Sequence, residues 1–256
     1  MLETMTLVVT GAASGIGRAV VIEAAARGVR NILATDMNEQ GLQSLDKEVP
    51  GTTRLATIVA DLSEAAAAAD VATRARGEFG RIDGLVNAAG ITTRADFLNG
   101  TAEDFDSIFK INTRAPFLLM QEAIRDMRAR GGGGTIVNIQ SMNAHCGAPE
   151  LALYAASKGA LQTLTKNAAN AHLHDRIRVN GINLGWVQTE AEHRMQTQIL
   201  GQPNDWAERA GRSLPLGRLL EAEEAARLTV HLLSPESAPM TGVCIDLEQK
   251  VVGAPG

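Results

Sequence analysis

Short runs rich in β-branched residues alternate along the chain with longer stretches of helix-forming residues. The first run is TLVVT at 6–10, and a stretch of helical composition, GRAVVIEAAARG, follows at 17–28. Further strand-like runs occupy 31–36, 55–61, 82–90 (a strand and its turn), 135–141, 178–184 and 242–247, and helices are predicted over 63–80, 101–130 (two helices), 152–173 and 221–233. This alternation indicates βαβ units with right-handed crossovers. The sequence therefore predicts an α/β fold, a doubly wound parallel sheet of about seven strands with helices on both faces.

The length of 256 residues suits one large domain or two small ones. No linker or repeat interrupts the alternation, so we interpret residues 1–256 as a single domain. Only the stretch 188–218 breaks the rhythm, and it is predicted to be an inserted lobe that binds substrate.

Charge and composition exclude several classes of function. The formal net charge is −5, whereas nucleic-acid binding requires a basic face. No run of about 18 apolar residues predicts a membrane span, and the acidic start MLETM does not resemble a signal peptide. Cys146 and Cys244 lack the spacing of metal ligands, so no metal site is predicted. Two cysteines in a chain of this length favour reduced thiols and a cytoplasmic location.

The segment TGAASGIG at 10–17 joins the first strand to the first helix. Glycines at 11, 15 and 17 permit a tight turn and a close approach to the backbone. The free N–H groups at the start of the helix would then face an anion, such as a pyrophosphate. The spacing differs from the common G-x-G-x-x-G pattern, and a simple tight turn would use the same residues.

A carboxylate stands at the end of the second strand, about twenty residues after the glycine turn. Asp36 can there accept hydrogen bonds from the ribose diol of a dinucleotide and would repel a 2′-phosphate. This position favours NAD over NADP. The alternative is that Asp36 only caps the next helix.

The single tyrosine of the chain, Tyr154, lies four residues before Lys158 in the segment YAASK. Residues i and i+4 share one face of a helix. A neighbouring ammonium favours the phenolate and lowers the pKa of a tyrosine, which makes the pair a plausible proton-transfer device. The alternative is a half-buried tyrosine beside a surface lysine. Ser141 ends the fifth strand, where the carboxyl ends of the strands line a ligand crevice, and can meet this face of the helix.

Together these motifs resemble the short-chain dehydrogenase/reductase family. TGAASGIG, NAAG at 87–90, Asn112, Ser141 and YAASK match its motifs in its order, and the resemblance covers nearly the whole chain. It implies a Rossmann-like fold and an NAD-dependent oxidoreductase acting on CH–OH groups. The catalytic set that it implies is Asn112, Ser141, Tyr154 and Lys158.

The resemblance also implies a role for each matched residue. Tyr154 would be the acid/base, and Lys158 would lower its pKa and hold the nicotinamide ribose. Ser141 would orient the substrate oxygen, and Asn112 would anchor a water between Lys158 and solvent. The cofactor-binding residues implied by the turn, Asp36 and the family's motifs are Gly11, Ser14, Gly15, Ile16, Gly17, Asp36, Asp61, Leu62, Asn87, Tyr154, Lys158, Val187 and Thr189. For Asn87, bracing of the sheet is an equally good interpretation.

Two departures from the family pattern are visible. Leu-Gly-Trp at 184–186 replaces the usual Pro-Gly, and Asp-Leu-Glu at 246–248 replaces Asp-Gly-Gly. We expect the first to loosen the turn beside the carboxamide contacts. We expect the second to change how the tail packs, including any packing between subunits.

The predicted substrate pocket, built from 91–98, 142–150 and 185–215, is rich in polar residues. It also contains both tryptophans, and an indole beside polar groups suits a sugar or polyol. The candidate substrate residues are Asn143, His145, Trp186 and Trp206. Packing of the lobe is the alternative role for the two tryptophans.

Three functions remain open at this level. The leading prediction is an NAD-dependent dehydrogenase for a sugar, polyol or similar hydroxy compound. A 3-oxoacyl thioester reductase shares the same motifs, but such enzymes usually prefer NADPH, which Asp36 disfavours. A non-catalytic NAD-binding sensor is the third.

Apolar residues on more than one face of the helices near 101–130 and 152–173 predict a homo-oligomer, and similar proteins are commonly tetramers.

Overall fold

The computed structural model describes residues 2–252, and a seven-stranded parallel sheet forms its centre. The strands are β1 (Thr6–Thr10), β2 (Asn31–Asp36), β3 (Arg54–Val59), β4 (Gly84–Asn87), β5 (Gly134–Ser141), β6 (Ile177–Leu184) and, at one edge, β9 (Cys244–Leu247). Two short strands, β7 (Val187–Gln188) and β8 (Leu220–Glu221), pair separately. The predicted α/β class is confirmed.

The strands lie in the order β3-β2-β1-β4-β5-β6-β9. The chain therefore builds outward in one direction from β1 and then returns to build in the other direction from β4. Ligands bind outside the carboxyl ends of the strands at such a point of reversal. Here that point is the crevice between the ends of β1 and β4, which pair from Leu7 with Gly84 to Val9 with Val86.

Helices cover both faces of the sheet. They are α1 (Gly15–Ala26), α2 (Glu39–Ser44), α3 (Ala67–Phe79), α4 (Ala102–Phe109), α5 (Ala115–Arg130), α6 (Ala152–Ala171), α7 (Glu190–Arg194), α8 (Trp206–Gly211) and α9 (Ala222–Leu233). One core packs α1, α2 and α9 against the sheet, and the other packs α3, α5 and α6 against the opposite face. Every residue of β1 is buried, as expected for a strand covered on both sides.

The structure corrects several predicted boundaries. The third strand ends at Val59 rather than at residue 61. The short helix α2 had no counterpart in the sequence prediction. The helices predicted over 101–130 form one run, because a π-helical turn at Lys110–Arg114 joins α4 to α5.

The stretch predicted as a lobe does leave the sheet. It contains β7, α7, a π-helical turn at Met195–Ile199, and α8. The backbone N–H of Leu220 donates to the carbonyl of Trp186 at 2.9 Å, so the far end of the lobe returns to its beginning. Within residues 2–252, no helix is both long and apolar enough to cross a bilayer.

Candidate active site

The predicted acid/base group lies where the end of β5 meets α6. Tyr154 and Lys158 stand one turn apart on α6, with the Lys158 Nζ 5.8 Å from the centre of the Tyr154 ring. The side chains of Ser141 and Thr92 hydrogen-bond with the phenol oxygen. The structure thus brings together three residues predicted from the sequence and adds Thr92.

Ser141 is held so that its proton is free to donate. Its Oγ accepts hydrogen bonds from the backbone N–H and the side-chain Nδ2 of Asn143, both at 3.2 Å. Since a hydroxyl has one proton and two acceptor positions, the proton is left for another partner. Asn143, predicted to contact substrate, therefore positions the Ser141 hydroxyl, and its own Oδ1 accepts from the N–H of Ala148 at 3.3 Å.

The electrostatics of the pair differ from the prediction. Burial raises the pKa of Tyr154, and the charge of Glu192 adds to the rise, whereas the hydrogen bonds from Ser141 and Thr92 lower it. Burial also lowers the pKa of Lys158 from 10.5 to about 8. The net direction for the phenol is thus set by burial, because a low-dielectric site disfavours both the phenolate and the ammonium. The lowering effect of Lys158 on the tyrosine pKa stays a prediction.

Lys158 is nearly inaccessible to solvent, with 5% of its surface exposed. Its Nζ donates to the carbonyl of Ile139 at 3.0 Å. A Cβ on Gly90 would lie 3.4 Å from this nitrogen, so the NAAG segment forms one wall of the lysine's site. The ammonium is thus fixed between β5, α6 and the turn that follows β4.

Asn112 lies in the π-helical turn and is completely buried. Its Oδ1 accepts from the N–H of Ile91 at 2.9 Å, and its Nδ2 donates to the Ile91 carbonyl at 2.9 Å and to Ser157 Oγ at 3.1 Å. Both donors of the side chain are therefore used in holding the segment after β4 against α6, and Oδ1 accepts one hydrogen bond. The water predicted at Asn112 stays a prediction.

Two positions of the glycine turn, Gly11 and Gly15, have a positive φ and lie close to neighbouring segments. Gly11 has φ +65, and a Cβ there would lie 2.8 Å from the backbone N of Ala89. Gly15 has φ +52 and packs against Thr189, with 3.4 Å between its hypothetical Cβ and the Thr189 Cγ2. The turn is thereby pressed against the end of β4 on one side and the start of the lobe on the other.

The start of α1 is open to an anion. Its N-cap Ser14 makes no side-chain capping bond, and the first turn carries no acidic residue. The first N–H groups of the helix, at Gly15, Ile16 and Gly17, therefore leave the positive end of this 12-residue helix unneutralised. The site fits the pyrophosphate of a dinucleotide.

Asp36 faces this turn from the end of β2. Its Oδ2 accepts from the N–H of Ala13 at 3.1 Å, and its Oδ1 accepts from the N–H of Asn38 at 2.9 Å. The cap of α2 is instead Asn38, whose Oδ1 accepts from Gly41 N at 3.1 Å. The alternative in which Asp36 caps the next helix is therefore not what the structure contains.

The remaining predicted cofactor residues line the same edge of the sheet. Asn87 Nδ2 donates to Asn138 Oδ1 at 2.8 Å, which braces β4 to β5, yet its own Oδ1 is buried without a partner. A buried acceptor without a partner fits a ligand hydroxyl. Asp61 is exposed, and the N–H and hydroxyl of Ser63 hold the pKa of its carboxyl below the usual value. Leu62 and Val187 are buried.

The two tryptophans have different roles. Trp206 is 3% exposed and its indole N–H donates to His193 Nδ1 at 3.0 Å, so it packs the lobe, which is the alternative role predicted for it. Trp186 is 40% exposed, lies 5.7 Å from the Trp206 ring and donates to Glu192 Oε1 at 3.0 Å. Trp186 therefore stays a candidate for the substrate pocket.

His145, also predicted to contact substrate, is tied to the edge of the sheet. Its Nε2 lies 3.0 Å from Asp246 Oδ1 and 3.3 Å from Asn183 Nδ2. The ring thus fastens the segment after β5 to the ends of β6 and β9, and its contact with substrate stays a prediction.

The unusual turn after β6 is held firmly, contrary to the expectation of looseness. The N–H of Gly185 donates to the Leu247 carbonyl at 2.9 Å, and a Cβ on Gly185 would lie 2.5 Å from a carboxylate oxygen of Glu248. Gln249 accepts from Leu216 N and donates to the Arg218 carbonyl, both at 2.8 Å. The tail thus packs on the lobe of its own chain.

Two residues that affect the phenol, Thr92 by a hydrogen bond and Glu192 by its charge, were not among the residues predicted from the sequence. Thr92 belongs to no motif and reaches the site because Asn112 holds Ile91, and because Ala95 N donates to the Glu150 carbonyl at 2.9 Å. Glu192 was one of many polar residues in the lobe. Glu192 follows Thr189 by three residues, which is the spacing of a capping box at the start of a helix. This spacing was the sequence signal that Glu192 lies in the ordered first turn of α7.

Comparison with known proteins agrees with this geometry. A family model described as enoyl-(acyl carrier protein) reductase matches residues 11–248. The 3-oxoacyl-[acyl-carrier-protein] reductase FabG of Thermotoga maritima is 32% identical over 98% of this chain and 99% of its own length. Bovine (Bos taurus) L-xylulose reductase is 34% identical over 94% of this chain and 93% of its own length.

Solved structures show the same fold. Levodione reductase superposes with a TM-score of 0.90 at 29% identity, covering 96% of this chain and 97% of its own. A 3-ketoacyl-(acyl-carrier-protein) reductase from Brucella melitensis, complexed with NADH, superposes with a TM-score of 0.86 at 28% identity, covering 97% of this chain and 98% of its own.

Proposed function

This chain belongs to the short-chain dehydrogenase/reductase family, and we propose that it is an NAD-dependent oxidoreductase acting on a sugar, polyol or similar hydroxy compound. The family binds a nicotinamide cofactor, and its members act on alcohol and keto groups. The observation that carries the proposal is the meeting of Ser141 and Tyr154 beside the buried Lys158. Asp36 at the glycine turn supports the choice of NAD.

Two hydroxyls supply the acid–base chemistry in this proposal. The nicotinamide, when bound, exchanges a hydride with the carbinol carbon of the substrate. Tyr154 accepts the proton of the substrate hydroxyl during oxidation and returns it during reduction. Ser141, whose oxygen is held by Asn143, donates a hydrogen bond to the substrate oxygen and stabilises the charge that develops there, while its proton stays on the hydroxyl.

Lys158 holds a positive charge near the phenol and the cofactor ribose. Burial lowers its pKa to about 8, so the amine stays mostly protonated at neutral pH but releases its proton readily. Burial raises the pKa of Tyr154, and a cationic ligand ring beside it would favour the phenolate. The site is thus arranged to form the phenolate when the oxidised cofactor is bound.

Asp36 is the basis for choosing NAD over NADP. Hydrogen bonds from ribose hydroxyls to a carboxylate contribute about 1.5–3 kcal/mol. Two like unit charges about 4 Å apart repel by roughly 4 kcal/mol at an effective dielectric of 20. The next residues, Met37 to Gln40, contain no cation and add Glu39. We expect a preference for NAD in kcat/KM of about a hundredfold or more, at about 1.4 kcal/mol per tenfold.

The test is kcat/KM with NAD and with NADP at one fixed substrate concentration, using a panel of polyols and sugars. Asp36→Ala should relax the preference mainly by improving the use of NADP. Asp46→Ala removes an exposed carboxylate ten residues further along and should leave the preference unchanged. Equal use of both cofactors by the wild-type protein would refute the role of Asp36.

A 3-oxoacyl thioester reductase is the second candidate, favoured by the similarity to the Thermotoga maritima enzyme. The same assay separates the two, because this candidate requires turnover of a 3-oxoacyl thioester in preference to the polyols. A non-catalytic sensor would bind NAD and turn over none of these compounds.

We also propose that the protein is a homo-oligomer, most simply a tetramer, in the reducing environment of the cytoplasm. Phe105 and Phe117 on α4 and α5 remain about 45% exposed, and Phe105 stacks on Phe109 at 4.2 Å. A second subunit would cover this apolar face. Measurement of the molar mass in solution, for example by light scattering, tests the oligomeric state.

Both cysteines, Cys146 and Cys244, are free thiols, in keeping with a reducing compartment.

A further inference from the structure

Glu192 is a carboxylate in the lobe to which the proposed reaction gives no role. Its Oε1 accepts two hydrogen bonds, from the indole N–H of Trp186 at 3.0 Å and from the amide of Gln196 at 2.8 Å. Gln196 is itself buried, with 7% of its surface exposed. The carboxylate is therefore fixed in place at one oxygen, while Oε2 has no hydrogen-bond partner among the described residues.

Glu192 lies in the part of the lobe that borders the glycine turn and the carboxyl end of β6. Thr189, whose Oγ1 accepts from the Glu192 backbone N–H at 3.1 Å, packs on Gly15 of the glycine turn. Trp186 lies two residues beyond the carboxyl end of β6 and is half-exposed. The negative charge of Glu192 also contributes to the raised pKa of Tyr154, in keeping with a position on the same side of the site.

Among the described residues, no cationic side chain forms an ion pair with this carboxylate. Within residues 2–252, no Lys, Arg or His side chain pairs with Glu192 within 4.0 Å, whereas Glu190, on the same helix, pairs with Arg194 at 3.9 Å and Glu150 pairs with Arg94 at 3.9 Å. A half-buried carboxylate that is held by neutral donors alone has acceptor capacity left for a ligand. Its negative charge also repels an anionic ligand.

We propose that Glu192 determines substrate specificity by accepting a hydrogen bond from a hydroxyl on the carbon next to the reacting carbinol. This inference rests on the proposed function and narrows its substrate class to neutral vicinal diols and hydroxy ketones. A substrate with a carboxylate or phosphate at that position is disfavoured by the charge of Glu192.

The test uses three substrates that share one ring and differ only in the neighbouring group. These are cyclohexanol, cis-cyclohexane-1,2-diol and 2-hydroxycyclohexanecarboxylate, each oxidised with saturating NAD. Glu192→Gln keeps the size of the side chain and an oxygen for Trp186 and Gln196 but removes the charge. Glu190→Gln is the matched control, since it makes the same change two residues away on a side chain that is 78% exposed.

We expect the wild-type protein to prefer the diol to cyclohexanol in kcat/KM, and Glu192→Gln to reduce that preference about tenfold, because hydrogen bonds to charged groups are about twice as strong as neutral ones. The same variant should raise kcat/KM for the carboxylate substrate by about tenfold or more, since like charges no longer repel. Cyclohexanol turnover is the reference to which both other substrates are compared in each variant, and Glu190→Gln should resemble the wild type throughout.

Glu192→Asp supplies an independent measurement if the Gln variant does not fold. The aspartate side chain keeps the negative charge but is one methylene shorter, so its carboxylate reaches less far. The preference for the diol should therefore fall, while the carboxylate substrate stays disfavoured. Unchanged discrimination in the Glu192 variants, or an equal change in Glu190→Gln, would overturn the inference and leave the proposed function intact. Wild-type protein that turns over polyols but none of the three ring alcohols would also overturn it. Wild-type protein inert toward the whole polyol panel overturns the proposed function and the inference together.

Discussion

Replacement of Lys158 by methionine is expected to stabilise the cofactor-free protein while it removes activity. The lysine carries a charge in a position that is 5% exposed. Burial lowers its pKa from 10.5 to about 8, and one pKa unit corresponds to about 1.4 kcal/mol. The folded state therefore bears an order-of-magnitude cost of about 3 kcal/mol for keeping this amine protonated.

Methionine removes the charge and nearly matches the length of the lysine side chain. It also loses the hydrogen bond from Nζ to the Ile139 carbonyl, which contributes about 1 kcal/mol. We therefore expect Lys158→Met to raise the free energy of unfolding by about 2 kcal/mol at pH 7. For a chain of this size, that corresponds to about 4–8 °C in Tm.

The stability gained by Lys158→Met should decrease as the pH rises. Below pH 8 the lysine is protonated in both the folded and the unfolded chain, so folding bears the full cost of the buried charge. Between about 8 and 10.5 the unfolded chain still binds the proton that the folded protein has released, so the stability of the wild type rises with pH. The advantage of Lys158→Met should therefore be largest near pH 7 and disappear as the pH approaches 10.5.

The assay is urea unfolding without cofactor, at one protein concentration, across a pH series. Lys166→Met is the matched control, because Lys166 lies on the same helix and is exposed. It should change stability by less than about 0.5 kcal/mol. A Lys158→Met variant no more stable than the wild type at pH 7, or a stability gain independent of pH, would show that the buried charge of Lys158 does not destabilise the folded protein.

Two further predictions concern the phenol and the glycine turn. Tyr154→Phe should lower kcat by about 10²–10⁴-fold and leave NAD binding nearly unchanged; a variant that keeps more than about a tenth of wild-type turnover would contradict the acid/base role. Gly11→Ala should lower the free energy of unfolding by about 2 kcal/mol and weaken NAD binding, because φ is +65 and a Cβ would lie 2.8 Å from Ala89 N. Gly51→Ala, at a position with no atom within 4 Å of the new Cβ, should be nearly neutral in urea unfolding and should set the baseline for that comparison.

The lobe and the tail are joined within the chain. Glu248 stands where the family's sequence pattern has a glycine, and its carboxylate lies against the turn at Gly185. Gln249 accepts a hydrogen bond from the N–H of Leu216, so the end of the lobe is bound to the segment that follows β9.

The sequence determined the features that depend on neighbours along the chain. The strands at Thr6–Thr10 and Asn31–Asp36 have their predicted bounds. The first apolar run ends before the glycine turn, and the second ends at the carboxylate of Asp36. Tyr154 and Lys158 share a face because their spacing of four matches the helical repeat. The position of Ser141 at a strand end follows from the same local pattern.

Tertiary structure decided the properties that arise between distant segments. The pKa directions of the phenol and the amine depend on burial by β5, the segment after β4 and the lobe, which no local spacing reveals. Trp206 and Trp186 have the same chemistry, and only packing buries one indole and leaves the other at the surface. His145 meets Asp246 across 101 positions of sequence. Such contacts depend on how the parallel strands align their carboxyl ends, and alignment of that kind is a property of the whole sheet.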